Sequence, residues 1–117
     1  MLRPGWHYRG LMVEVWQIQV AAPSRAAALK LAQGAVEAKL AAGGQVAGPL
    51  TSVFWHQGEF GTGEEWQVIL KTTARTYPEL ERFLVDNHEW TNPEITALPF
   101  AAGLAPYLEW VERTTGK

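Results

Sequence analysis

Cysteine is absent from the chain, which removes disulfides, thiolate metal sites and cysteine nucleophiles together. The absence leaves the compartment open, because a cysteine-free chain survives in oxidising and reducing surroundings alike. A positive balance is also missing. Ten basic side chains stand against twelve acidic ones, a net charge of −2, so bulk charge does not steer the protein toward nucleic acid. No apolar run has the length of a signal-peptide core or a membrane span, and a cytoplasmic protein without membrane association is the default expectation. HExxH, EF-hand, zinc-knuckle and GxSxG patterns are lacking. The Gly-Thr-Gly of Gly61 to Gly63 has no Lys-Ser or Lys-Thr after it and joins two predicted strands, so it fails as a phosphate loop.

What remains is a globular composition. The 117 residues are 47% hydrophobic and 19% charged, a length and balance that fit one domain. Residues 1–10 read as an N-terminal extension, with Trp6 and Tyr8 able to dock on the body or a partner, and residues 11–117 as a single domain. Six tryptophans are many for such a chain.

Leu11 to Val20 alternates β-branched or aromatic residues with Glu14, Gln17 and Gln19, a central strand. Ser24 is placed to cap a helix running to Ala42, with Leu29, Ala32, Val36 and Leu40 on its apolar stripe, ended by Gly43-Gly44. Val46 to Gln57 and Glu65 to Thr73 are extended, with Gly48-Pro49 as a bend or edge and Gly58 to Gly63 as the hairpin loop between them. A symmetrical register then puts Trp55 opposite Trp66, Val53 opposite Val68 and His56 opposite Glu65. Thr76 and Glu79 have capping-box spacing, with Pro78 in the first turn of a helix whose stripe is Leu80, Phe83 and Leu84. After Asn92-Pro93, Glu94 to Leu98 is a strand closed by Pro99. A last helix from about Leu104 to Thr114 carries Leu104, Tyr107, Leu108 and Val111 on one face.

This order is the split βαβ arrangement: an α+β, ferredoxin-like βαββαβ sandwich with an antiparallel sheet, a long hairpin between the second and third strands, and an extra C-terminal helix. Two helices on one sheet face leave the other bare. A bare face bearing Trp and Phe predicts oligomerisation.

The histidines His7, His56 and His88 share no metal-ligand spacing. His56 facing Glu65 offers an oriented imidazole, against the commoner reading of a cross-strand pair that stabilises a hairpin. His88 ends the second helix, where a cation favours the dipole. Glu59, Glu64, Glu65 and Glu94 form an acidic group near the hairpin that either takes a divalent cation or is a solvated loop. Lys71, mid-strand, needs a carboxylate, an edge or an anionic ligand.

Thr51-Ser52-Val53-Phe54 with Gln57-Gly58-Glu59, Glu65 to Thr73 ending Lys71-Thr72-Thr73, Asn92-Pro93-Glu94-Ile95, Ala97-Leu98-Pro99 and Tyr107-Leu108-Glu109-Trp110 together resemble the CutA family of divalent-cation tolerance proteins. The likeness runs from about Val13 to Gly116. It implies a ferredoxin-like protomer whose hairpin, Val46 to Thr73, reaches across neighbours in a tight homotrimer like the PII signalling proteins, and a link to copper and other divalent metals. Two departures bear on chemistry. Where the family reads Leu-Ala-Ala-Cys, this chain has Leu40-Ala41-Ala42-Gly43, and where the family has proline after its His-Pro-Tyr histidine, this chain has Glu89 after His88. His56 stands at the family's hairpin tryptophan position. The resemblance thus implies a metal site at His88, with Glu89 beside it to supply oxygen, of imidazole and carboxylate character suited to copper(II) or zinc; His56, by its place facing Glu65, is the candidate second site. It also implies inter-subunit clefts lined by Lys71, Glu65, Trp90 and Glu94.

The first expectation is therefore a homotrimeric copper or zinc binding or tolerance protein, not an enzyme, with no cofactor required and itself and divalent cations as partners. A PII-like small-molecule sensor or scaffold and a ferredoxin-like cofactor-free enzyme are the alternatives.

Overall fold

The computed structural model describes residues 14–115, so the extension at 1–10 and the expected strand start at 11–13 lie outside the described residues. Seven elements follow in the predicted order: β1 (Val15–Ala22), α1 (Arg25–Glu37), β2 (Gly43–His56), β3 (Glu59–Thr73), α2 (Tyr77–Asn87), β4 (Ile95–Pro99) and α3 (Ala105–Thr115). The four strands form one antiparallel sheet in the order β2-β3-β1-β4. This is the ferredoxin-like α+β architecture, with β1 inside the sheet between β3 and β4 as expected.

Alternation sends Ile18, Val20 and Ala22 of β1 and Val68 and Leu70 of β3 to one face, where they meet Ala28, Leu31, Ala32 and Ala35 of α1 and Leu80 and Leu84 of α2. The small α1 side chains bring the helix close to the sheet. Phe83 of α2 lies over Gly34 of α1, its Cζ 2.7 Å from where a Cβ would stand. α3 sits on the opposite face at one end, burying Leu108 and Val111 against Val15 and Ala42.

Several local expectations are corrected. α1 stops at Glu37, short of Ala42, because Lys39 takes the left-handed conformation (φ 61°) expected of a glycine. Lys39 N–H donates to Val36 O at 3.0 Å and Leu40 N–H to Ala35 O at 3.0 Å, the paired bonds of a Schellman end. Leu40 is thus the buried anchor beyond the helix rather than part of its stripe, and Gly43-Gly44 opens β2. Thr76 does not close a capping box: its backbone is helical and its hydroxyl accepts from Thr73 Oγ1 at 3.0 Å. α3 begins after Leu104, whose carbonyl accepts from Tyr107 and Leu108 N–H, so Leu104 is 72% exposed and the buried stripe is Ala105, Leu108, Val111 and Thr115.

The hairpin differs most. Gln57 (φ 51°) and Gly58 (φ 83°) make a two-residue turn, the left-handed pair that the twist of a tight hairpin requires. β3 therefore starts at Glu59, and Gly61 and Gly63 are strand residues beneath the Phe54 ring; a Cβ on Gly61 would stand 3.2 Å from Phe54 Cε1. Trp55 pairs with Phe60, Val53 with Thr62 and His56 with Glu59; Val68 pairs with Val46 and Trp66 with Ala22 of β1. A bulge at Gly48-Pro49, joined by a cis peptide, interrupts the ladder between Ala47 and Leu50.

The bare face also differs from expectation. Trp16 and Trp66 pack on the helix side, while the other face carries Gln17, Gln19, Gln45, Gln67, Ile69 and Lys71 by alternation. The exposed apolar side chains lie further out. β1 pairs with β3 only as far as Trp66, so residues 50–65 are a two-stranded ribbon bearing Leu50, Val53, Phe54, Trp55 and Phe60 in solvent.

Near the start of α2, Trp16 Nε1–H donates to Glu14 Oε1 at 3.0 Å and Tyr77 O–H to Glu81 Oε2 at 2.7 Å, the two rings 5.5 Å apart. Burial, then the Glu81 hydrogen bond and charge, push the Tyr77 hydroxyl from 10.0 up to about 12. The folded state keeps a proton that the unfolded chain releases from pH 10, so this contribution to stability is complete below pH 10 and lost as pH rises to 12. Tyr77→Phe is expected to flatten that alkaline fall; phenolate absorbance and thermal melts across the window check it, and an unchanged slope refutes the assignment.

Candidate functional site

A cleft of about 700 Å³ opens between the hairpin and the segment after α2, lined by Phe54, Trp55, His56, Glu65, Glu89, Trp90, Thr91 and Asn92. Its volume is that of an ordinary small-molecule site. The ribbon is positioned by the turn and the bulge: Phe54, His56 and Glu65 share one face of it, as their partners Gly61, Glu59 and Leu50 show. The opposite wall is held by His88. Its ring accepts from Trp90 N–H at Nδ1 (3.0 Å), so Nε2 carries the proton and donates to Ala21 O at 2.7 Å. One imidazole thus ties the segment to the end of β1, and the Trp90 indole lies against it at 5.4 Å and 34°. Asn87 Nδ2 donates to Phe83 O at 2.8 Å just before.

The predicted residues are partly gathered. Glu65, Glu89, Trp90 and His56 line one cleft, although His56 and Glu65 are not cross-strand partners. Lys71 and Glu94 are not among its walls. Lys71 lies six residues along β3 from Glu65, about 20 Å at strand rise, beside Gln17 and Gly43. The Glu94 carbonyl accepts from Ala21 N–H at 3.2 Å, at the entry to β4. Sequence reasoning missed Phe54, Trp55, Thr91 and Asn92; the Phe54 position was legible only through the register.

Both His88 ring nitrogens are engaged, so a metal ion there would have to displace the Trp90 N–H from Nδ1. Among the described residues no three His, Asp or Glu side chains form a cluster able to hold a metal ion within one chain. Gly43 opens β2 beneath Trp110; a Cβ there would be 3.4 Å from Trp110 Cη2. A second groove of about 750 Å³ runs between α1 and β2, lined by Arg25, Gln33, Glu37 and apolar neighbours. No helix among the described residues is long and apolar enough to cross a membrane.

The family model for the CutA1 divalent ion tolerance protein matches residues 16–114. The divalent-cation tolerance protein CutA of Thermus thermophilus is 36% identical over 99 residues, 85% of this chain and 96% of that one. The chloroplastic CutA 1 of Oryza sativa is 34% identical over 84% of this chain and 55% of its own length. Among solved structures, the Thermus thermophilus protein (37% identity, 90% and 100% of the chains) gives a TM-score of 0.83 and the Oryza sativa CutA1 (32%, 90% and 96%) gives 0.86. A relative from Archaeoglobus fulgidus is described as periplasmic, so these proteins are not confined to one compartment. With a family match over residues 16–114 and solved relatives of more than 30% identity that superpose at TM-scores of 0.83 and 0.86, this chain belongs to the CutA1 divalent ion tolerance family.

Proposed function

We propose that the protein is a homotrimer that binds divalent cations, copper(II) or zinc, and acts without catalysis in tolerance to them. The observation that carries this reading is the solvated apolar ribbon at residues 50–65. A two-stranded hairpin is marginal in water by itself, and here Val53, Trp55 and Phe60 are each at least 60% exposed. Such a surface asks for burial against another copy. The glutamine-bearing sheet face adds to it: Gln67 Oε1 is buried yet accepts no hydrogen bond, a cost that a partner's donor would remove.

The metal part rests on the family and on donor chemistry. His56, Glu65 and Glu89 supply imidazole and carboxylate, which suit copper(II) and zinc, and His88 with Glu89 adjoins them. Because the described residues of one chain do not bring three such donors together, the coordination sphere is completed between protomers.

Sedimentation of the wild type is expected to give a trimer, and Trp55→Glu with Phe60→Glu to shift it to monomer. Calorimetric titration with zinc or copper(II) is expected to weaken by about 10- to 100-fold in His56→Ala, the usual cost of disturbing a metal site. A monodisperse wild-type monomer would overturn the assembly; isotherms unchanged in both His56→Ala and His88→Ala would remove the metal site.

A further inference from the structure

We propose that the cleft between the hairpin and residues 89–92 is a receptor for a small organic cation of the alkylammonium type. The cleft is the one described above, but the inference needs no metal and goes beyond the metal reading.

Two apolar rings of its lining, Phe54 and Trp90, lie off the ribbon face that carries Val53, Trp55 and Phe60. An indole face attracts a cation through its quadrupole, and does so best when water is partly excluded. Trp90 is set for that work. Its backbone N–H is held by His88 Nδ1 and its ring is backed by the His88 imidazole, so its aspect to the cleft is fixed before any ligand arrives.

Two carboxylates supply the charge. The Glu65 and Glu89 carboxylates make no ion pair or hydrogen bond with any described residue, whereas those of Glu81 and Glu112 have partners elsewhere. The cleft's charged walls are therefore acidic, and Lys71 is not among them. The choice between a metal ion and an organic cation follows from arrangement. A metal ion needs donors converging on one point at about 2 Å, which His56, Glu65 and Glu89 of one chain reach only with a second protomer's donors, whereas an organic cation needs no such convergence. An alkylammonium has a compact head and an apolar tail. It can set its nitrogen against one carboxylate and an indole face while the tail lies on Phe54, without three donors meeting at one point.

The test uses the assembled protein, stripped with chelator and dialysed, titrated with n-butylammonium by calorimetry and by tryptophan fluorescence at constant ionic strength. 1-Butanol serves as the neutral analogue and butyrate as the anionic one. Saturable binding of n-butylammonium is expected, with neither analogue binding, and about tenfold weaker affinity in Glu89→Gln and in Trp90→Leu, the loss of one charge contact or one ring face. Both substitutions are in an exposed segment, and sedimentation confirms that each variant keeps the wild-type assembly. No saturable binding to the wild type overturns the proposal, as does equal binding of 1-butanol or unchanged affinity in both variants. Zinc binding without n-butylammonium binding would leave the metal reading standing and this one refuted; the reverse result would separate them the other way.

Discussion

Leu70→Ala is expected to lower stability by about 2–5 kcal/mol, toward the upper end of that range for a deleted core side chain. Leu70 is fully buried and sits on β3 between Ile18 of β1 and Gly44 of β2. Its Cδ2 is 2.7 Å from where a Cβ on Gly44 would stand, and Ala32 Cβ is 3.7 Å from the same point. One leucine therefore fills the space left by a glycine on the strand and an alanine on α1. The α1 side chain at this point is Ala32, too short to swing in, so the vacancy stays open and its lining loses dispersion contacts. Denaturant titration at fixed protomer concentration measures the loss, since association would otherwise shift the midpoint. Ile69→Ala, half-buried on the opposite face, is the comparison and should cost less. A Leu70→Ala loss below about 1 kcal/mol would mean that α1 closes on the sheet, contrary to this packing.

Gly48→Ala carries the second large effect, about 2–4 kcal/mol, from two costs that add. Gly48 has φ +154°, a conformation that side-chain-bearing residues rarely adopt. A Cβ there would also meet Trp66 Cδ2 and Cε3 at 2.7 Å and the Glu65 carbonyl at 3.2 Å. Indole and backbone are both poor at yielding, so the bulge would open and Trp66 would leave the helix-side core. Loss of near-ultraviolet circular dichroism from Trp66 should accompany the drop in stability. Gly58→Ala separates the two costs: φ is +83° but nothing stands within 4 Å of the added carbon, so only the backbone cost of about 1–2 kcal/mol remains. Equal losses at both glycines would count against the steric half of the explanation.

Much of the architecture was legible from local pattern. The β-branched run of β1, the alternation through Trp66-Gln67-Val68-Ile69-Leu70, Ser24 at a helix start and Pro78 in a first turn are short-range features, and each produced the element it predicted. Ser24 Oγ does accept from Ala27 N–H at 3.1 Å. Where the reading failed, the deciding contact lay far away in the chain. Three glycines between Gly58 and Gly63 look like a loop, yet two of them are strand positions kept bare for the Phe54 ring. A glycine pair at 43 and 44 looks like a helix end, yet Lys39 ended the helix because Leu40 could be buried beyond it.

The candidate site follows the same division. Its residue types were visible, and Glu65, Glu89, Trp90 and His56 do share a cleft. The shortened turn moved His56 away from Glu65 and placed it opposite Glu59, while the extended β3 left Lys71 far down the sheet. His88, read as a helix-end cation and metal ligand, ties its segment to β1 through Nε2 and to the Trp90 N–H through Nδ1.

By itself the sequence determined the order and type of the elements, the absence of thiolate chemistry and the family, because these rest on residue periodicity and motif. Only the tertiary structure decided the register of the hairpin, the end of α1 and which acidic and aromatic side chains face one cavity. Those depend on whether one side chain's volume finds room against another many residues away: Phe54 over Gly61, Trp66 against Gly48, Leu70 over Gly44.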